Sequence, residues 1–70
     1  MKEQKTYNLL QMKEELIEIS EKLEGHEKAM VAGAERISYE TLKNYYKGKI
    51  PFPAMAQAII ERSKLIIKNR

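Results

Sequence analysis

Ile37-Ser38-Tyr39-Glu40-Thr41-Leu42-Lys43-Asn44-Tyr45-Tyr46-Lys47-Gly48-Lys49 is the stretch that decides the fold. The Ser38 hydroxyl stands where it can accept a hydrogen bond from one of the first free amides of a helix, and Gly48 supplies a residue suited to ending one. Between them Leu42 and Tyr45 or Tyr46 share a face, so the spacing predicts a short third helix whose outer side reads Tyr39, Glu40, Lys43, Asn44 and Lys47. Immediately upstream, His26 to Glu35 (HEKAMVAGAE) is rich in small residues, which lose little side-chain freedom and let neighbouring helices approach closely. It is read as a second helix. Gly33 within it either sits near the end of that helix or marks a close backbone contact.

Further out, Leu9, Met12, Leu16, Ile19 and Leu23 recur at intervals of three and four, with Leu10 and Ile17 widening the stripe, which predicts an amphipathic first helix from Tyr7 to Leu23. Asn8 or Thr6 can cap its start, and Gly25 is expected to end it as a left-handed residue. On the other side, Ile50-Pro51-Phe52-Pro53 forbids helix continuation, and Pro53 suits the first turn of a last helix running to about Lys68. Phe52, Met55, Ala56, Ile59, Ile60, Ser63, Ile66 and Ile67, with Ala58 and Leu65 on a third side, make more of this helix apolar than one small core is expected to require. There is no alternating β-branched run, no Asn-Gly turn and no internal repeat, so the fold class is all-α with four helices.

The chain has 70 residues, 13 of them Lys or Arg and 10 Asp or Glu, with no Cys and no Trp, which predicts a single domain over residues 1–70 and leaves no room for a substrate domain. A domain of this size buries only about 60% of the surface its unfolded chain exposes, and association is a common remedy. Without cysteine, disulfides, thiolate zinc sites and thiol chemistry are excluded together, and the lone His26 makes a metal site improbable. No apolar run approaches the roughly 20 residues of a membrane span and no signal-peptide core is present, so a cytoplasmic protein without membrane, cofactor or small-molecule substrate is expected. The acidic set Glu14, Glu15, Glu18 and Glu21 has no apolar pocket or cation to split its pKa values and reads as a solvated helix face. Met12, Met30 and Met55 read as core or interface filler. No nucleophile and base are paired, and an enzyme is not expected.

Charge is unevenly spread. Residues 1–24 carry four basic against six acidic side chains, whereas residues 25–70 carry nine basic against four acidic. From Arg36 to Lys49, Arg36, Lys43, Lys47 and Lys49 face Glu40 alone, a surplus that favours a polyanion. A short helix, a tight connection at Arg36-Ile37 and a second short helix opened by Ser38 describe a helix-turn-helix. Such a helix can enter the DNA major groove only if its exposed N-terminal side chains are polar and its back is apolar enough to anchor it, and both conditions are met here. The candidate base contacts are Lys43 to guanine O6/N7, Asn44 to adenine, Glu40 to cytosine N4, and Tyr39 to a thymine methyl or a phosphate. Ser38, Thr41, Lys47 and Lys49 near the ends of the helix, with Lys28 on the helix before it, are the candidate phosphate contacts.

The segment 37–49 resembles the recognition-helix region of Cro/repressor-type helix-turn-helix proteins, the XRE or lambda-repressor-like family. In that family a β-branched residue and Ser precede the helix, Thr and an aliphatic residue lie inside it, an aromatic follows, and Gly-Lys closes it. Here these are Ile37-Ser38, Thr41-Leu42, Tyr45 and Gly48-Lys49. Pro53, Ala56 and Ile59 resemble its fourth helix, and the likeness spans about residues 28–62. Continued upstream without a gap, it places Val31-Ala32 on the family's aliphatic-Ala pair, Glu35 at a usually apolar place and Arg36 where Gly is usual. A frame placing Ala29 and Gly33 on the Ala and Gly needs two extra turn residues, and the ungapped frame is preferred. The resemblance implies a small four-helix domain, five-helix where the family's usual last helix is present. It also implies a double-stranded DNA-binding transcriptional regulator, a repressor in the first instance, often dimeric and often carried by phage or mobile elements. The segment also resembles MerR-type winged helices, but there the motif lies near the N-terminus and leads into a β-wing.

The homodimer interface is expected at Ile59, Ile60, Leu65, Ile66 and Ile67, against the alternative that these pack on the first helix. Tyr39, Tyr45 and Tyr46 could form a stacking platform for single strands, although burial is the commoner use of an aromatic residue. His26 suits a surface or capping role better than a phosphate contact. The second functional reading is a protein-interaction module, antitoxin-like or an assembly adaptor, with the helix-turn-helix only as scaffold.

Overall fold

The computed structural model describes residues 8–70, and they form four helices: α1 (Leu9–Lys22), α2 (Gly25–Glu35), α3 (Tyr39–Tyr46) and α4 (Pro53–Lys68). There is no strand among the described residues. The α1 stripe works as its spacing predicts, with Met12, Leu16 and Ile19 buried and Leu23 buried just beyond the helix end. Asn8 is the cap, its Oδ1 accepting the Gln11 N–H at 3.1 Å. Thr6 and Tyr7 lie outside the described residues.

Gly25 does not end α1. The helix stops at Lys22, Leu23 is extended, and Gly25 is already the first residue of α2. The reason is at Glu24, which takes the cap position of α2 while the Glu27 carboxylate reaches back to accept its backbone N–H at 2.9 Å. With one residue ending α1 and the next capping α2, no slot remains for a left-handed glycine. Gly33 lies inside α2 with nothing within 4 Å of where a Cβ would sit, so it marks no close contact.

α1 packs on α3 and α4, and α2 packs on the same two helices. Leu16, Val31, Leu42, Tyr45, Ala56, Ile59 and Ile60 meet in one core. This corrects the expected dimer surface: Ile59 and Ile60 are 0% and 2% exposed, and Ile66 and Ile67 are half-buried against the core. α4 covers two helices instead of one, so it needs a wide apolar arc, and the surplus of Ile is used within the chain. Only Leu65 of the five is open, at 56% exposure. No fifth helix occurs among the described residues, and none of their helices is long and apolar enough to cross a membrane.

Two contacts lock α3 in place. At its end Gly48 has φ +97°, and a Cβ there would lie 2.6 Å from Cγ of Lys13, whose stem runs beneath it from α1. At its back the Tyr46 hydroxyl meets Ser63 Oγ of α4 at 2.7 Å, both residues buried, so neither polar atom is left unpaired. Tyr45 and Tyr46 are therefore core and not a stacking platform. Burial pushes both phenols above the ordinary tyrosine value, offset in part by hydrogen bonds with the Phe52 backbone and Ser63 respectively.

Tyr46→Phe leaves the Ser63 hydroxyl buried without a partner and is expected to cost about 1–3 kcal/mol in urea unfolding, whereas Tyr46→Phe with Ser63→Ala should recover most of that. Because the raised phenol pKa values favour the neutral form in the folded state, their contribution is complete below about pH 10 and is lost as pH rises through the folded values. Thermal melts should therefore fall more steeply above about pH 10 for the wild type than for Tyr46→Phe.

Candidate nucleic-acid interface

The interface is built on the connection between α2 and α3. Arg36 ends α2 with φ 59° and ψ 42°, the left-handed conformation. The turn is held by the Ile37 N–H donating to the Ala32 carbonyl at 3.0 Å and the Arg36 N–H to that of Gly33 at 3.3 Å. Arg carries a Cβ penalty there that Gly would not. Half-buried Ile37 packs on the core and fixes how the chain leaves the turn. Glu35 is largely buried, and its carboxylate meets Arg62 of α4 at 2.7 Å with 14% of the side chain exposed.

Ser38 then caps α3, its Oγ accepting the Thr41 N–H at 3.0 Å and donating to Thr41 Oγ1 at 2.8 Å. That donation consumes the Ser38 proton and leaves the Thr41 hydroxyl proton free to point outward. Of the candidate phosphate contacts, Thr41 is thus the better donor and Ser38 the group that orients it. Leu42, Tyr45 and Tyr46 are buried, so helical periodicity turns Glu40, Asn44 and Lys47, at i, i+4 and i+7, directly outward. All three are exposed. Among the described residues neither the Glu40 carboxylate nor the Asn44 amide has a hydrogen bond or ion pair.

Tyr39 and Lys43 lie to one side of that line. Tyr39 is exposed, Lys43 is half-buried, and the Lys43 ammonium sits 5.7 Å from the Tyr39 ring centroid. Lys28 reaches over the same flank from α2, half-buried, its ammonium 5.8 Å from the Tyr46 ring. Lys47 and Lys49 are exposed at the far end of α3. The structure thus gathers the four candidate base contacts and five candidate phosphate contacts on and around α3, but divides them into an outer ridge and a cationic flank that the sequence did not distinguish.

His26 is exposed at the start of α2, its Nδ1 3.5 Å from Glu24. Sequence reasoning missed Glu27, which is 7% exposed and also lies 3.7 Å from Arg70. The Glu24-x-x-Glu27 spacing was the available signal, weakened because Glu is an unusual cap. It also missed a groove of about 420 Å³ between α2 and the end of α4, lined by His26, Met30, Ala34, Leu65 and Ile66. α3 contributes nothing to this groove. Comparison with protein-family models, curated proteins and solved structures found no match.

Replacing Arg36 by Gly should relieve the left-handed penalty and raise stability by about 1 kcal/mol. Ser38→Ala should lose a cap and cost about 1 kcal/mol. Both are read from urea midpoints.

Proposed function

We propose that this chain is a sequence-specific double-stranded DNA-binding regulator of transcription, cytoplasmic and most simply a repressor, in which α2 and α3 form a lambda-repressor-like helix-turn-helix and α3 enters the major groove. One observation carries the reading: the face of α3 opposite its buried Leu42, Tyr45 and Tyr46 is a polar ridge of Glu40, Asn44 and Lys47, flanked by cations and open to solvent. The ridge positions Glu40 and Asn44 for base-edge contacts, while Lys47 at its end and the cations beside it supply phosphate contacts.

A homodimer across two half-sites belongs to this reading. With Ile59 and Ile60 in the core, its apolar anchor falls to Leu65, which stands beside the α2–α4 groove and away from α3. The same groove, with exposed Met30 on its other wall, supports a second reading as a protein-interaction module, antitoxin-like or an assembly adaptor. Ionic strength separates the two.

Anisotropy titrations with labelled duplex at rising salt should show log K falling with a slope of about −0.9 per phosphate contact, and Lys47→Ala should reduce that slope by about 1. Asn44→Ala should cost about 1–3 kcal/mol on a selected duplex and little on random duplex. Absence of duplex binding, with salt-insensitive capture of a protein, would favour the second reading. Leu65→Glu should turn a sedimenting dimer into a monomer that keeps its helical content, with the melting temperature of the wild type, and not of the variant, rising with protein concentration.

A further inference from the structure

We propose that Glu40 sets target discrimination by this chain, and that Lys43 grips the DNA backbone and does not read guanine. The inference rests on the DNA-binding reading and gives it a target class: a half-site with cytosine and adenine about two base pairs apart.

Three observations lead there. Glu40 is the sole acid among the basic residues from Arg36 to Lys49, and it sits on the outermost line of α3 where no side chain among the described residues neutralises it. A carboxylate carried into a groove walled by phosphates is repelled unless a donor meets it. On the major-groove edge cytosine presents an amino donor alone, guanine presents two acceptors, thymine an acceptor, and adenine an amino group beside an acceptor. Glu40 therefore penalises most edges and tolerates cytosine best, so it discriminates by repulsion as much as by attraction.

Asn44 is the second reader. It stands one turn along the same line, with an amide that can donate and accept at once, as the adenine edge requires. Four residues of helix rise about 6 Å, close to two base-pair steps of about 3.4 Å. Lys43 is set apart from this line by position. It is half-buried on the flank, over the Tyr39 ring at 5.7 Å, on the side from which Lys28 also approaches. With the ridge against the base edges, a flank of the helix meets a groove wall, where the strand backbone runs.

Glu40 also lies in the first turn of α3, where a negative charge complements the helix dipole and stabilises the helix without any contact to a base. The two roles give different results. Selection from a random duplex library, run with wild type, Glu40→Ala, Glu40→Gln and Lys43→Gln, is followed by titration on selected and random duplex. Glu40→Ala should bind random duplex more tightly and lose about tenfold in the ratio of selected to random affinity. Glu40→Gln should move the preference at one position from cytosine toward adenine. Lys43→Gln should lower the salt slope by about 1 and leave every base preference in place.

A purely structural Glu40 would instead weaken binding to both duplexes alike, and that result overturns the proposal, as does an unchanged ratio. Loss of a guanine preference in Lys43→Gln overturns the assignment of that residue. Tighter binding to random duplex requires a folded chain, so unfolding cannot imitate the expected result. A wild type that binds no duplex ends the DNA-binding reading and this proposal with it, whereas selective wild-type binding with an unchanged Glu40→Ala ends this proposal alone.

Discussion

α3 cannot hold itself together. Eight residues form two turns, and a helix that short is unstable in water, so its conformation depends on burying Leu42, Tyr45 and Tyr46 against α1, α2 and α4. That burial is the constraint from which the rest follows. It fixes the rotation of the helix about its axis, and rotation alone decides that Glu40, Asn44 and Lys47 face outward. The Tyr46–Ser63 hydrogen bond makes the seat specific, because an apolar residue of similar size would fill the space without tying α3 to one position on α4.

The surrounding elements answer to the same requirement. α4 spreads Ala56, Ile59 and Ile60 over a wide arc to touch both α1 and α2, which closes the cup that receives α3. The left-handed Arg36 lets the chain reverse quickly enough for α3 to land in that cup, and Gly48 permits the Lys13 stem to pass under its far end. Ion pairs contribute differently. Arg62–Glu35 and Arg70–Glu27 each place one largely buried carboxylate against an exposed guanidinium, which makes charge tolerable at the α2–α4 seam more than it adds stability.

Function, on the reading proposed, is the exposed remainder of this packing. A small domain has little surface to spare, and here the surfaces are separated: a polar and cationic one on α3 and a groove between α2 and α4 in which Met30, Leu65 and Ile66 stand beside the charged Glu27, Arg62 and Arg70. No residue of α3 lines the groove, so on that reading the two surfaces do not overlap.

The amino-acid sequence by itself determined the helices, because periodicity, caps and breakers are local: the stripe from Leu9 to Leu23, the Ser38 cap, the Gly48 stop and Pro53 at the first turn all act within a few residues. The all-α class and the candidate residues of α3 were legible for the same reason. Gly25 was misread because its role depended on Glu27, three residues past the Glu24 cap, reaching back to claim that turn. Ile59 and Ile60 were misread as a partner surface because the width of an apolar arc does not say how many helices it must cover. Only tertiary structure decided that, along with the pairing of Tyr46 to Ser63 seventeen positions away and the division of α3 into a polar ridge and a cationic flank. These depend on which way each helix is turned, and that is settled by contacts between segments distant along the chain.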